Sequence, residues 1–235
     1  VYDVTKTATI NGTLNGVINS DAVVLVKSGT FSTSNVGNNI TVTPFCSLTG
    51  LKASNYSLTQ PSGLTANITP KYLSITSASV SNKVYDGNNT ATITGTLNGV
   101  IGSDNVVLNL SAAFSDKNIG NSKAVTSTST LSGTSSSNYA LSQPTGLTAN
   151  ITKADLNLTN ITASNKVYDR TTTATVSGTP SLSGVKGTDD VNIAGTAVYS
   201  FASSSVANSK SVSISGLTLN GVDAGNYNLL LPSSL

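Results

Sequence analysis

The chain has 235 residues, only 9% of them charged, with 12 Lys+Arg balanced against 10 Asp+Glu. No basic stripe appears, which excludes the electrostatic footprint of a nucleic-acid binder. With no His in the chain and every acid an Asp, a Ser-His-Asp or Cys-His nucleophile and a Cys/His zinc site are both excluded. No two Asp recur at the spacing of a general acid/base pair, so no enzyme activity is expected. No apolar run approaches the ~20 residues of a membrane-spanning helix, so no membrane insertion is expected. Cys46 stands alone, and alternates with Val42, Pro44 and Leu48 as a buried small hydrophobe would. Val1 follows no initiator Met or signal peptide and reads as a cut or processed start.

The chain opens with VYDVTKTATINGTLNGV and writes a version of it twice more, at Val84 and Val167, an interval of 83 residues each time. A fixed period of that size marks one folded unit repeated. Residues 1–69 and 84–152 are identical at 42 of 69 positions without a gap. These copies must share a fold. Three domains are expected: 1–70 lacking a leading strand, 71–153, and 154–235 lacking a trailing strand.

Within the second copy, TATITGTL places Ala91, Ile93 and Leu97 on one face and Thr92, Thr94 and Thr96 on the other, the period of a strand. After the turn Gly102-Ser103-Asp104, Val106, Leu108, Leu110, Ala112 and Phe114 alternate inward. Lys27 replaces Leu110 in the first copy, which puts that position near a rim. Phe114, Phe31 and Tyr199 are expected in the cores of their domains. Next come the turn NIGNS and a strand with Val125 and Leu131 inward. In the third copy the inward set shifts from Val212 and Ile214 to Leu217 and Leu219, a parity change that predicts a β-bulge. Asp21, Asp104 and Asp189 align, as do Tyr56, Tyr139 and Tyr227. The third copy's extra residues therefore fall in turns, where insertion is tolerated.

NYALSQPTGLTANIT then carries Tyr139 and Leu141 on one face, breaks at Pro144 and Gly146, and resumes with Leu147, Ala149 and Ile151. The segments joining the copies, KYLSITSASVSNK and KADLNLTNITASNK, are strand-like and hold no Gly/Ser linker. They predict a stiff array of domains joined by nearly continuous strands. Ten-residue strands at ~3.3 Å per residue would make each domain roughly 35 Å long, and three in line on the order of 100 Å. The fold class expected is all-β: a tandem array of three immunoglobulin-like antiparallel β-sandwiches.

KVYDGNNTATITGTL followed by NYALSQPTGLTANITKADL resembles the YDG-type repeats of large bacterial surface and secreted adhesins, related to the immunoglobulin-like repeats of filamentous-haemagglutinin-type exoproteins. The resemblance covers all three copies. It implies a non-enzymatic stalk that projects a binding region from a bacterial cell surface, or a secreted segment of such a protein. Its core is Tyr85-Asp86-Gly87, and it departs from the pattern at Val4 and Arg170. Those two residues predict that the position does not strictly require a positive φ.

The repeated motif residues are read as structural. Tyr2, Tyr85 and Tyr168 are anchors, and Asp3, Asp86 and Asp169 bond the backbone of the following turn. Tyr56, Tyr139 and Tyr227, each after an Asn, form braces like a tyrosine corner. Lys83 and Lys166 read as solvated strand ends, with a Lys–Asn isopeptide crosslink as the chemical alternative. Ten scattered acids without a D-x-D-x-D-G loop make no calcium site, and no cofactor is expected. N-x-[ST] tripeptides at Asn11, Asn39, Asn55, Asn67, Asn88, Asn109, Asn150, Asn157 and Asn160 allow glycosylation only weakly, because such a composition makes them by chance.

The partners expected are neighbouring repeats of one longer chain, or a second copy. Terminal strand edges would invite head-to-tail strand complementation and hence a self-assembling filament or biofilm matrix. A glycan- or host-protein-binding module is the third reading. Aromatics are 5% of the chain with no Trp, which speaks against a platform of exposed rings.

Overall fold

A computed structural model describes all 235 residues. The chain is all-β: short strands throughout, and the three-residue 3-10 turns Ala53–Asn55, Ser136–Asn138 and Ala224–Asn226 at the same place in each repeat. It is a tandem array of three immunoglobulin-like β-sandwich repeats. The expected alternation holds. Ala91, Ile93, Ala112, Phe114, Val125, Ala149 and Ile151 are buried, while the intervening Thr92, Asn109 and Thr126 face solvent. Leu110, the rim position, is 38% exposed.

The expectation of wholly antiparallel sheets needs correction. Tyr139–Ser142 pairs in parallel with Lys71–Ser74, Ile151–Thr152 with Lys83–Val84, and Tyr227–Leu230 with Ala154–Asn157. All three involve the segment that joins repeats, which runs alongside later strands of the repeat it enters. Side-chain alternation is the same in either direction, so it carries no signal for this.

The chain divides into two compact units that do not follow the repeat boundaries. The first holds Val1–Ser77, Gly95–Leu110 and Ser129–Pro144. Its four-stranded sheet has the order Thr7–Ala8, Gly29–Phe31, Gly37–Pro44, Thr65–Ile68. Its core joins Tyr2, Ile40 and Ile68 of the first repeat to Leu73 and Tyr139 of the second, with Phe31, Val36 and Leu131 packed against them.

The second unit holds Ala78–Thr94, Ser111–Thr128 and Thr145–Leu235. Here the five-stranded sheet has the order Lys83–Val84, Thr148–Thr152, Gly120–Ser127, Ala112–Phe114, Thr90–Ala91. The core again crosses repeats: Tyr85, Phe114, Val125 and Ile151 of the second meet Ala154, Leu156 and Tyr227 of the third. The third repeat adds a hairpin of Asn192–Phe201 with Val212–Asn220, around a second cluster of Leu158, Ile161 and Ile214 that Tyr199 half-buries. The predicted bulge is there. The register shifts between Gly195 and Val198, and the buried set steps from Val212 and Ile214 to Leu217 and Leu219.

Only Lys153 separates Thr148–Thr152 from Ala154–Thr159, and only Thr69-Pro70 separate Thr65–Ile68 from Lys71–Val80. The chain thus passes from one repeat to the next almost without leaving extended conformation.

Candidate functional site: the joint between repeats

Each repeat builds the same brace. The Tyr139 hydroxyl accepts a hydrogen bond from the Ile101 N–H (3.1 Å) and donates one to Asp104 Oδ2 (2.6 Å). Tyr227 does the same with Lys186 N–H (2.9 Å) and Asp189 (2.7 Å), and Tyr56 with Ile18 N–H (3.0 Å) and Asp21 (2.9 Å). The 3-10 turn before each tyrosine swings it out of the preceding loop and back into extended geometry, so the ring lies across the turn that carries the Asp.

The same carboxylate takes a second tyrosine from the preceding repeat. The Tyr2 hydroxyl donates to Asp104 Oδ2 at 2.8 Å, and that of Tyr85 to Asp189 Oδ2 at 2.6 Å. The paired rings stand edge to face, with centroids 5.3 Å apart at 78° for Tyr2 and Tyr139 and 5.3 Å at 80° for Tyr85 and Tyr227. Two joints thus repeat one geometry: an Asp oxygen held between two buried phenols. Tyr2 and Tyr85 are 5% and 1% exposed.

A buried asparagine completes the joint. Asn138 Oδ1 accepts the Val36 N–H at 2.9 Å, and its amide donates to Asn35 Oδ1 at 3.1 Å. Asn226 repeats this with Ile119 N–H and Asn118 Oδ1, at 3.0 and 3.1 Å. Each buried amide therefore has its carbonyl and its NH₂ paired across the repeat boundary, which is the condition for burying such a group without a large penalty.

The electrostatics follow. The hydrogen bonds from Tyr139 and Tyr2 hold the Asp104 carboxyl below the usual range. For Asp189, burial pushes the carboxyl up, but hydrogen bonds from Lys117, Tyr85 and Tyr227 outweigh it and hold it low. The phenols move the other way. Burial, then the Asp104 hydrogen bond, pushes Tyr2 up to about 12; burial and Asp189 do the same to Tyr227. The joints differ in one respect. Lys117 Nζ bridges Asp189 and Asp223 at 2.7 and 3.1 Å, whereas the first joint has the neutral Ser34 and Ser135 at the aligned positions.

The motif Asp residues behave as expected: Asp3, Asp86 and Asp169 accept from the N–H two residues on, at 2.8, 3.1 and 2.9 Å. The residue between is a correction. Val4 and Arg170 keep the left-handed conformation of Gly87, with φ of 65°, 69° and 84°. The Asx turn imposes it, and the non-glycine copies bear the cost.

Lys83 and Lys166 also differ from the solvated ends expected. Their side chains are 17% and 18% exposed and fold back over the turn. Lys83 Nζ reaches Asp86 at 2.7 Å and the backbone and side-chain oxygens of Asn88 at 2.8 and 3.1 Å; Lys166 reaches Asp169 and Thr171. Thr171 has no amide carbon for an amine to attack, so the two lysines share a turn-closing role and not a crosslink geometry.

Among the sequence candidates, the structure brings Tyr2 to Tyr139 and Tyr85 to Tyr227. Tyr168, 57% exposed, meets neither. Sequence reasoning missed Asp104, Asp189, Asn35 and Asn118 as the other half of the joint. The alignment of Asp21, Asp104 and Asp189 was the available signal, because an acid kept at one place in a chain so poor in acids has a task.

The fold and this shared joint define a tandem β-repeat protein in which each repeat is closed by its neighbour. The chain belongs to the YDG domain family, which matches residues 1–63, 69–146 and 152–234. No curated protein and no solved structure matches it.

Proposed function

We propose that the chain is a non-enzymatic, extracellular stalk segment of a bacterial adhesin, whose repeats are locked in series so that a binding region is projected from the cell surface. The observation that carries this reading is the joint itself. A stalk transmits position only if its joints do not swing, and both joints here replace a linker with a buried core, a shared carboxylate and a paired asparagine. The low charge suits a mechanical surface whose properties change little with salt. The test is pulsed electron resonance between spin labels at Thr126 and Asn220, on the second and third repeats, with Cys46 replaced by Ser. A single narrow distance is expected, and a broad or multi-peaked distribution would remove the basis for a stalk.

One observation favours a second reading, a filament or biofilm-matrix subunit joined head to tail. The first repeat presents Asp21 and Tyr56 as an accessible acceptor half of the joint, and the third presents Tyr168 as a donor half. Light scattering over a wide concentration range separates the two: constant monomer mass supports the stalk, and open-ended growth the filament.

A further inference from the structure

We propose that the third repeat carries a strand-acceptor groove, and that its occupant is an extended segment of the pattern T-A-N-I-T. The groove encloses about 760 Å³ and lies between the segment Asn165–Asp169 and the loop Ser203–Lys210, with Phe201 at its base.

The occupant is read from the two other copies. In the second repeat Thr148–Thr152 fills the corresponding place, parallel to Lys83–Val84 and antiparallel to Gly120–Ala124. Its Ala149 and Ile151 are buried in the cluster that contains Phe114. Asn150 is held at both ends, its N–H donating to Asn82 Oδ1 (2.7 Å) and its Oδ1 accepting from Ser122 N–H (2.7 Å). In the first repeat Thr65–Ile68 lies in the same place, and Asn67 Oδ1 accepts from Asn39 N–H at 2.8 Å. Asn39 and Ser122 sit in left-handed conformation at a register shift, which aims the N–H at the incoming asparagine.

Every element of that cradle is in place in the third repeat. Ser209 holds φ 51°, against 51° for Asn39 and 47° for Ser122. Asn165 stands where Asn82 stands, and Phe201 is half-buried where Phe114 is 2% exposed. Lys210 Nζ is turned away onto Ser203 and Ser205, leaving the way to Ser209 clear. The groove therefore selects a small residue, then asparagine, then a β-branched aliphatic. This holds whether the chain works as a stalk or as a filament subunit.

The test adds a peptide of residues 148–159, with a fluorophore at its C-terminus, to the whole protein and follows anisotropy. Saturable binding of one peptide per chain is expected. A peptide with Asn150→Ala should bind at least ~10-fold more weakly, the cost of one lost charge-free pair at a buried N–H. One with Ile151→Ser should not bind measurably. No saturation at millimolar peptide, equal affinity of the three peptides, or more than one peptide bound per chain would each overturn the assignment.

Discussion

An oxygen of Asp189 stands between two phenols, and its other oxygen meets an ammonium group. Replacing it with Asn leaves three donors facing an amide in a place closed to water. Asp189→Asn should therefore destabilise the second unit by about 3 kcal/mol. Tyr85→Phe removes one donor and should cost about 1 kcal/mol. A double-mutant cycle of Tyr85→Phe with Tyr227→Phe in denaturant should show coupling, since either phenol left alone must share the same carboxylate oxygen. Additive values would mean that the two hydroxyls act independently. The pH profile follows from the same groups. Asp104 and Asp189 titrate below the usual carboxylate value when folded, so their stabilisation is complete above about pH 4 and is lost as pH falls through their lowered values. Tyr2 and Tyr227 are raised from 10.0 to about 12, so their contribution is complete below pH 10 and lost as pH rises toward 12. With no His or Glu in the chain, the midpoint in urea should be flat between these limbs. A slope near neutral pH would show that another group governs the joints.

At the level of strands, period-two alternation made most of the core readable: Phe114 and Ile151 lie where it put them, at 2% exposure each. Phe114→Ala should cost about 3 to 5 kcal/mol, measured by the shift of the denaturation midpoint. The parallel pairings and the partners of Tyr2 and Tyr85 were not readable. Alternation reports a face, but neither strand direction nor what a long-range fold brings against that face. The turn after Tyr-Asp escaped for another reason. Val and Arg rarely adopt positive φ, so their presence argued against a geometry that the Asp hydrogen bond imposes anyway. Glycine matters more at Gly133, with φ 105° and a place for Cβ only 2.4 Å from the Asn105 carbonyl oxygen. Gly133→Ala should lower the midpoint of the first unit by more than a typical surface substitution, which is within ~0.5 kcal/mol.

For the whole chain, the cores of both compact units draw on two repeats. Cooperativity should follow these units. Removing residues 154–235 takes Ala154, Leu156 and Tyr227 from the cluster around Phe114, so amides of Ala112–Phe114 and Gly120–Ser127 should lose hydrogen-exchange protection although their own repeat is intact. Unchanged protection would mean that each repeat folds alone.

Copies as alike as the first two invite a hazard during folding, because a repeat can close on the wrong neighbour. The variable corner of the joint acts as an address. Lys117 of the second repeat finds Asp223 on the third, but docking back onto the first repeat would set it against Lys52 at the aligned position, and onto its own repeat against the neutral Ser135. The constant tyrosines and asparagines make any two repeats able to join. One charged pair ranks the choices, and it does so while the chain is still finding its order.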